Sequence, residues 1–368
     1  METKRSTTMD IVKAIGIISI VLGHCCYTIK IPIVDVYLGE FVYSYHLMVF
    51  FFAAGFFYKK EYAEHPEQYI GKRLVKLGGM LFTYNTVFVF LHNIFADLKM
   101  VENTQYYGIK DIVRCIIQSI LMRYTEGLLG TCWFLPMFFI GTALFALAFS
   151  QIEKRKKSVY AHMMSCMLFI VIALYANMKE LTWDYWIQTS LLAVPVMYVG
   201  YFCREKWNVI EKWITWYGTI LSAAIILGVL SLKIGSIELS VNLIINPVLF
   251  YPVTFLGIYF CMGAADLLNK NKYLSKCFSV IGKESFHIMA LHFLGFKIVD
   301  IIYSKIHGIN DIETISKFPH ADYGLQWIYL FAGIIIPLGI VILFRQGCVY
   351  VKNVLGINNS KEKYLKKT

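Results

Sequence analysis

Lys13 and His24 stand eleven residues apart in the run DIVKAIGIISIVLGHCCYTIK, residues 10–30. In an α-helix, eleven steps of about 100° return to within about 20° of the starting direction, with about 16 Å of axial rise. The ammonium and the imidazole therefore leave one helix along the same line. Asp10 lies about 40° from that line by the same arithmetic. A lysine can hold an anion, and an imidazole exchanges a proton near neutral pH. In an apolar run both are expensive, and such groups ordinarily face a cavity or the interior of a bundle. Gly16, Ile17, Ile20 and Gly23 occupy the stretch between them. The small residues admit a close neighbour or a slender ligand. Spacing alone leaves a plainer reading open: His24 hydrogen-bonds a neighbouring helix and Lys13 reaches back to the headgroups.

The elements that must position this pair are membrane helices. The chain has 368 residues, 58% of them hydrophobic and only 16% charged. Soluble domains carry about 25% charged residues, so the apolar surplus is expected to face lipid. Runs of about 20 apolar residues cross a bilayer as helices. Ten are expected, near 11–29, 41–58, 77–96, 130–150, 158–177, 187–203, 214–232, 242–266, 284–302 and 325–344. The sixth is short, and the ninth carries Lys297 and Asp300. No cleavage site follows the first run, which reads as a retained helix rather than a signal peptide.

Lys and Arg set the orientation. The clusters at 59–76, 154–157, 204–212 and 270–283 and the tail after 345 all fall on the side of the N-terminus if ten spans are threaded. The expected fold is an all-α polytopic integral membrane helix bundle with both termini cytoplasmic, one domain over 1–368. Its net charge of +11 then suits anionic lipid headgroups, and no nucleic-acid partner is implied. The nine cysteines show no metal spacing and read as small apolar side chains. The stretch IKDIVRCIIQSILMRY has apolar residues at helical spacing and reads as an interfacial helix or a lid. Asn246-Pro247 is expected to bend the eighth span.

Several motifs then act together. DIVKAIGIISIVLGH, YHLMVFFFAAGFFYKK, KRLVKL, CWFLPMFF and IGKESFHIMALH resemble, in type and order, the acyltransferase-3 family of membrane proteins. More narrowly they resemble its stand-alone O-acetyltransferases of cell-surface polysaccharides. The family hallmark is an arginine, ten intervening residues and a histidine. Here the histidine is His24 and the arginine position holds Lys13. A second feature is a basic pair three residues apart, here Arg73 and Lys76, preceded by Lys72. Lysine keeps the charge of arginine and loses its planar fork for phosphate.

The resemblance implies acetyl-CoA as acyl-donor substrate and no metal. Lys13, Lys72, Arg73 and Lys76 would hold the polyanionic donor at the cytoplasmic edge. Its flexible arm would run along the first span, and His24 would act on a hydroxyl of the polysaccharide or its lipid-linked precursor. General base catalysis and a covalent acyl relay both fit. The residues expected to line the acceptor cavity are His46, Trp133 and His292; Trp133 also suits an interface anchor. Glu126 and Trp133 bracket the start of the fourth span. His287, five residues before His292, points about 140° away from it. The expected location is the plasma membrane, with Ile, Lys and Asn richness that suits a low-GC bacterium.

Two other classes compete. A transporter or flippase for a lipid-linked glycan would also need ten spans and buried polar groups, but such proteins often carry repeated halves, and none is visible. A non-catalytic partner in a glycan-assembly complex would not need His24 on the lysine line.

Overall fold

A computed structural model describes residues 2–354 except 33, 103, 104, 156–158, 182, 235, 236, 242 and 245; side chains are described from 7 to 349. Of the basic clusters used for orientation, Lys156 and Lys157 lie outside the described residues, as does the chain after 354.

The chain is a bundle of helices: α1 (Glu2–Cys25), α2 (Leu38–Tyr43), α3 (Met48–Phe56), α4 (Pro66–Asp97), α5 (Ile109–Ile120), α6 (Phe134–Lys154), α7 (Val159–Met178), α8 (Ile187–Glu205), α9 (Trp207–Ile210), α10 (Trp216–Ser231), α11 (Pro247–Asn269), α12 (Lys272–Lys283), α13 (Ser285–His307), α14 (Ile312–Ser316) and α15 (Gln326–Val354). Strands are confined, among the described residues, to two short antiparallel pairs, Lys30–Ile31 with Val36–Tyr37 and Ile237–Glu238 with Leu243–Ile244. Nine described segments are long and apolar enough to span a membrane. A tenth forms if Trp207–Trp213 is joined to α10 across a 74° bend. Nine of the ten expected spans reappear as single segments, and the seventh, near 214–232, reappears as α10, which spans only together with that bent partner.

Their edges differ in instructive ways. The second span is broken: α2 ends at Tyr43, and α3 begins at Met48. The third begins at Pro66 rather than 77, with proline at the first turn, where its missing N–H is harmless. Lys72, Arg73 and Lys76 thus sit on a helix and not in a loop. Asn246 and Pro247 do not bend the eighth span; they start it. The Asn246 side chain accepts from the Val248 N–H, and Pro247 opens α11. An Asn-Pro pair is as good an N-terminus as a kink, and the apolar residues before it led the span to be drawn too long.

α1 lies in the interior, against α2, α3, α11, α12, α13 and α15. This follows from its composition: it is apolar all round, and Met9, Ile11, Val12, Ala14, Ile17, Ile20 and Val21 are buried. α7 and α15 keep most of their apolar surface exposed, as lipid-facing helices do. α5 turns Ile109, Val113, Ile117 and Ile120 outward, which fits a helix lying in the interface. α12, on the termini side, is also amphipathic and packs along α1.

Candidate active site

α1 is unbroken from Lys13 to His24, so both leave it in nearly the same direction, at opposite ends of the bundle. Lys13, near the termini, pairs with Asp10 at 2.7 Å. It lines a cleft of about 290 Å³ together with Arg73 and Lys76 from α4 and Lys283 at the end of α12. The lining contains four cations and no carboxylate. Lower down its walls are apolar, from Phe50 and Ala54 on α3, Phe134 and Phe138 on α6, and Met289 on α13. The Arg73 guanidinium lies 5.2 Å from the Tyr69 ring and 5.6 Å from that of Phe138. Lys72 is not brought in: its ammonium sits over Tyr62, 5.3 Å from the ring centroid, and does not line the cleft. Lys283 was missed in the sequence because it reads as one more basic residue of a loop. The apolar periodicity of 272–283 is the signal that puts it at a helix end.

At the other end, His24 occupies the last turn of α1 and is partly buried. Neither ring nitrogen has a hydrogen-bond partner among the described residues. Its ring stacks on His292 with centroids 5.4 Å apart and meets Phe293 edge-on at 5.0 Å. His46 and His320 complete its electrostatic surroundings. The neighbouring histidines are held by backbone carbonyls. His292 Nδ1 faces the carbonyls of Ile288 and Met289 at 3.2 and 2.9 Å. Carbonyls only accept, so Nδ1 carries the hydrogen and Nε2 the lone pair. That Nε2 is buried and unpartnered. His46 is held likewise, Nδ1 to the Val42 carbonyl at 3.1 Å. His46 stacks on Tyr43, whose hydroxyl donates to the Gly23 carbonyl at 3.3 Å.

His292 is thus a direct neighbour of His24, and His46 stands one ring behind it. Trp133 is elsewhere, 5.1 Å from the Trp186 ring. His287 faces away from His292, as the spacing predicts; its Nδ1 is 2.7 Å from the Tyr84 hydroxyl. Phe293 and His320 were missed. An aromatic in an apolar helix carries no signal, and His320 comes in on a loop that follows α14.

The stripe between Lys13 and His24 is not an open groove. A Cβ on Gly16 would meet Phe50 and Val49 at 3.2 Å, and the Tyr43 ring packs on Gly23. Ile17 and Ile20 are buried. The small residues admit aromatic rings from the second span instead of a ligand. The cationic cleft ends at Phe50, Phe134 and Met289, and His24 is not in its wall. The link between the two ends is α13: Met289 lines the cleft, and its carbonyl faces His292 Nδ1.

This arrangement places a cation-lined cleft and an imidazole with no hydrogen-bond partner among the described residues on one central helix of a membrane bundle. Residues 7–346 match the family model of an acyltransferase domain, the acyltransferase-3 type. No curated protein and no solved structure matches the chain. With the match running from the first turns of α1 into α15, the chain belongs to the acyltransferase-3 family of membrane acyltransferases.

Proposed function

We infer that the protein is an O-acetyltransferase that moves acetyl from cytoplasmic acetyl-CoA to a hydroxyl of a cell-surface polysaccharide or its lipid-linked precursor, in the plasma membrane of a bacterium. The observation that carries this reading is His24: an imidazole with no hydrogen-bond partner among the described residues, on the same unbroken helix as a lysine that faces a cation-lined cleft. The cleft suits the phosphates of the donor, since four cations and no carboxylate line it, and Asp10, outside the lining, is shared between Lys13 and Lys283 at 2.7 and 4.0 Å. The slender arm of the donor would pass Phe50, Phe134 and Met289. Methionine turns aside readily because its side chain is unbranched.

At the far end the hydroxyl oxygen bonds to the acetyl carbon while His24 takes the hydroxyl proton. The carbon–sulfur bond then breaks, and the thiolate receives that proton from the imidazolium. His292, with its lone pair fixed on Nε2, keeps a second basic nitrogen beside the reacting centre. His24→Ala is expected to lower acetyl transfer by about 10²–10⁴-fold with the protein still inserted and folded. The check is mass spectrometry of the surface polysaccharide from cells carrying the variant, beside its melting curve in detergent. Undiminished acetylation by a well-folded His24→Ala protein sinks the reading.

A further inference from the structure

A second cavity, of about 420 Å³, opens at the His24 end. Its character is the reverse of the first. It is lined by Glu102 and Glu126, by Tyr107 and Tyr124, and by His92 and Phe318, with no Lys or Arg. His92 and Glu126 are both buried and paired, Nδ1 to a carboxylate oxygen. The other imidazole nitrogen donates to the Gln105 carbonyl at 3.1 Å, so one proton must be shared between Nδ1 and the carboxylate. Tyr107 stacks flat on His92, centroids 3.5 Å apart, and its hydroxyl meets that of Tyr124 at 2.8 Å. The Glu126 backbone is pinned as well, its N–H donating to Asn85 Oδ1 at 2.7 Å.

Two rings separate this cavity from His24. Phe318 lines the cavity and meets Phe293 edge-on at 4.7 Å; Phe293 in turn meets His24 at 5.0 Å. Both rings pack over Gly130, where a Cβ would stand at ordinary contact distance, 3.4 Å from Phe318 and 3.6 Å from Phe293. Phe318 is 43% exposed, and its N–H donates to Glu102 at 3.1 Å.

We propose that this cavity is the binding site for a neutral, hydroxyl-rich acceptor, a sugar residue, and that Phe318 is the door between it and His24. Glu126 is spent on His92 and the Leu128 N–H and fastens the wall; the exposed Glu102 carboxylate and the tyrosine hydroxyls accept hydrogen bonds from sugar hydroxyls, and aromatic faces take the apolar face of a ring. A pocket of this size with a few converging polar groups is of the kind that holds small ligands. With the His92–Glu126 pair neutral as a unit, Glu102 on the rim and no Lys or Arg in the lining, this cavity offers a polyphosphate no counter-charge, so the two cavities sort the two substrates by charge. The proposal rests on the acyl-transfer reading for its purpose but not for its measurement.

The test uses the full-length protein in lipid nanodiscs. The probe is de-O-acetylated oligosaccharide prepared from the surface polysaccharide of the same cells, followed by saturation-transfer NMR without acetyl-CoA. The wild type is expected to bind it. Glu102→Gln, on the exposed rim, and Tyr107→Ala are each expected to weaken binding about tenfold, the equivalent of about 1.4 kcal/mol. No binding by the wild type, or wild-type affinity in both variants, overturns the site. Thiol release from acetyl-CoA without sugar is measured in parallel. Phe318→Ala is expected to raise it several-fold by admitting water to His24, and an unchanged rate overturns the door. Sugar binding with no thiol release under any condition would instead sink the acyl-transfer reading and leave the sugar site standing.

Discussion

Two lysines in this bundle each have an aspartate one turn away, and their situations are opposite. Lys13 pairs with Asp10 at 2.7 Å, with side chains 23% and 10% exposed. Lys297 pairs with Asp300 at 3.0 Å, with side chains 1% and 0% exposed. An ammonium has three hydrogens to donate. Lys297 donates to Asp300, to the Ile315 carbonyl at 2.9 Å and to the Lys317 carbonyl. Asp300 also accepts from the Ala321 N–H at 3.1 Å and from the Tyr329 hydroxyl at 2.5 Å. Every group in that second pair is satisfied, and the result is a fastening: it ties the loop around α14 to α13 and α15. Lys13 has one carboxylate partner among the described residues and looks into an open cleft. A charge within a spanning segment is costly in both cases. What separates a site from a fastening is whether its hydrogen-bonding capacity is already met.

The comparison breaks most sharply by removing each ammonium in turn. Lys297→Met leaves Asp300 buried without its counter-charge and frees two carbonyls. Losing one partner of a buried pair costs about 3–5 kcal/mol, so the variant is expected to fail in folding or to melt far below the wild type in detergent. A Lys297→Met protein as stable as the wild type would mean that the pair is not a fastening. Lys13→Ala, by contrast, is expected to hold its stability to within about 1 kcal/mol, since its pair is partly solvated. Its effect falls on the donor. Losing one charge-assisted contact of about 1.5–3 kcal/mol raises the KM for acetyl-CoA by about 10–100-fold, and Arg73→Ala behaves alike. Steady-state kinetics with an unaltered KM in both variants would remove the cleft from donor binding.

How much of this was legible beforehand divides along the same line. The spans were legible because apolar runs long enough to cross a bilayer have one common solution, the helix. The line from Lys13 to His24 was legible because helix periodicity is fixed by the backbone. The partners of His24 from elsewhere in the chain were not: that Phe293 meets its ring and His320 enters its electrostatic surroundings is decided by how α13 and the loop after α14 dock. The glycines of α1 misled for a related reason. Small residues signal that something approaches closely, and here Phe50 and Tyr43 approach. Glu126 was legible as a marker of the fourth span's start but not as the partner of His92, whose own signal is that a histidine inside a spanning run is as unusual as His24 itself.

A gentler change sharpens the role of Lys13. Lys13→Arg restores the residue that the family pattern has at this position. A guanidinium delivers two parallel hydrogen bonds to a phosphate where an ammonium acts as a point charge. The KM for acetyl-CoA is expected to fall a few-fold with little change in kcat. A large loss of activity in this variant would show that Lys13 acts as something other than an anion holder, such as a spacer whose volume the cleft cannot exceed.

The smallest effect is expected at Lys72, where sequence and geometry disagree. The basic cluster reads as three equivalent cations, but α4 is a helix throughout, so neighbouring residues point about 100° apart. Arg73 and Lys76, three apart, share the cleft; Lys72 lies over Tyr62 instead. An exposed cation over a ring contributes about 0.5–1 kcal/mol, and that contribution goes to the packing of α4 rather than to the donor. Lys72→Ala is therefore expected to change the KM for acetyl-CoA by less than about twofold, while Lys76→Ala changes it several-fold. Equal effects at the two positions would mean that the donor phosphates spread beyond the cleft across the face of α4, and that the whole basic cluster acts as one.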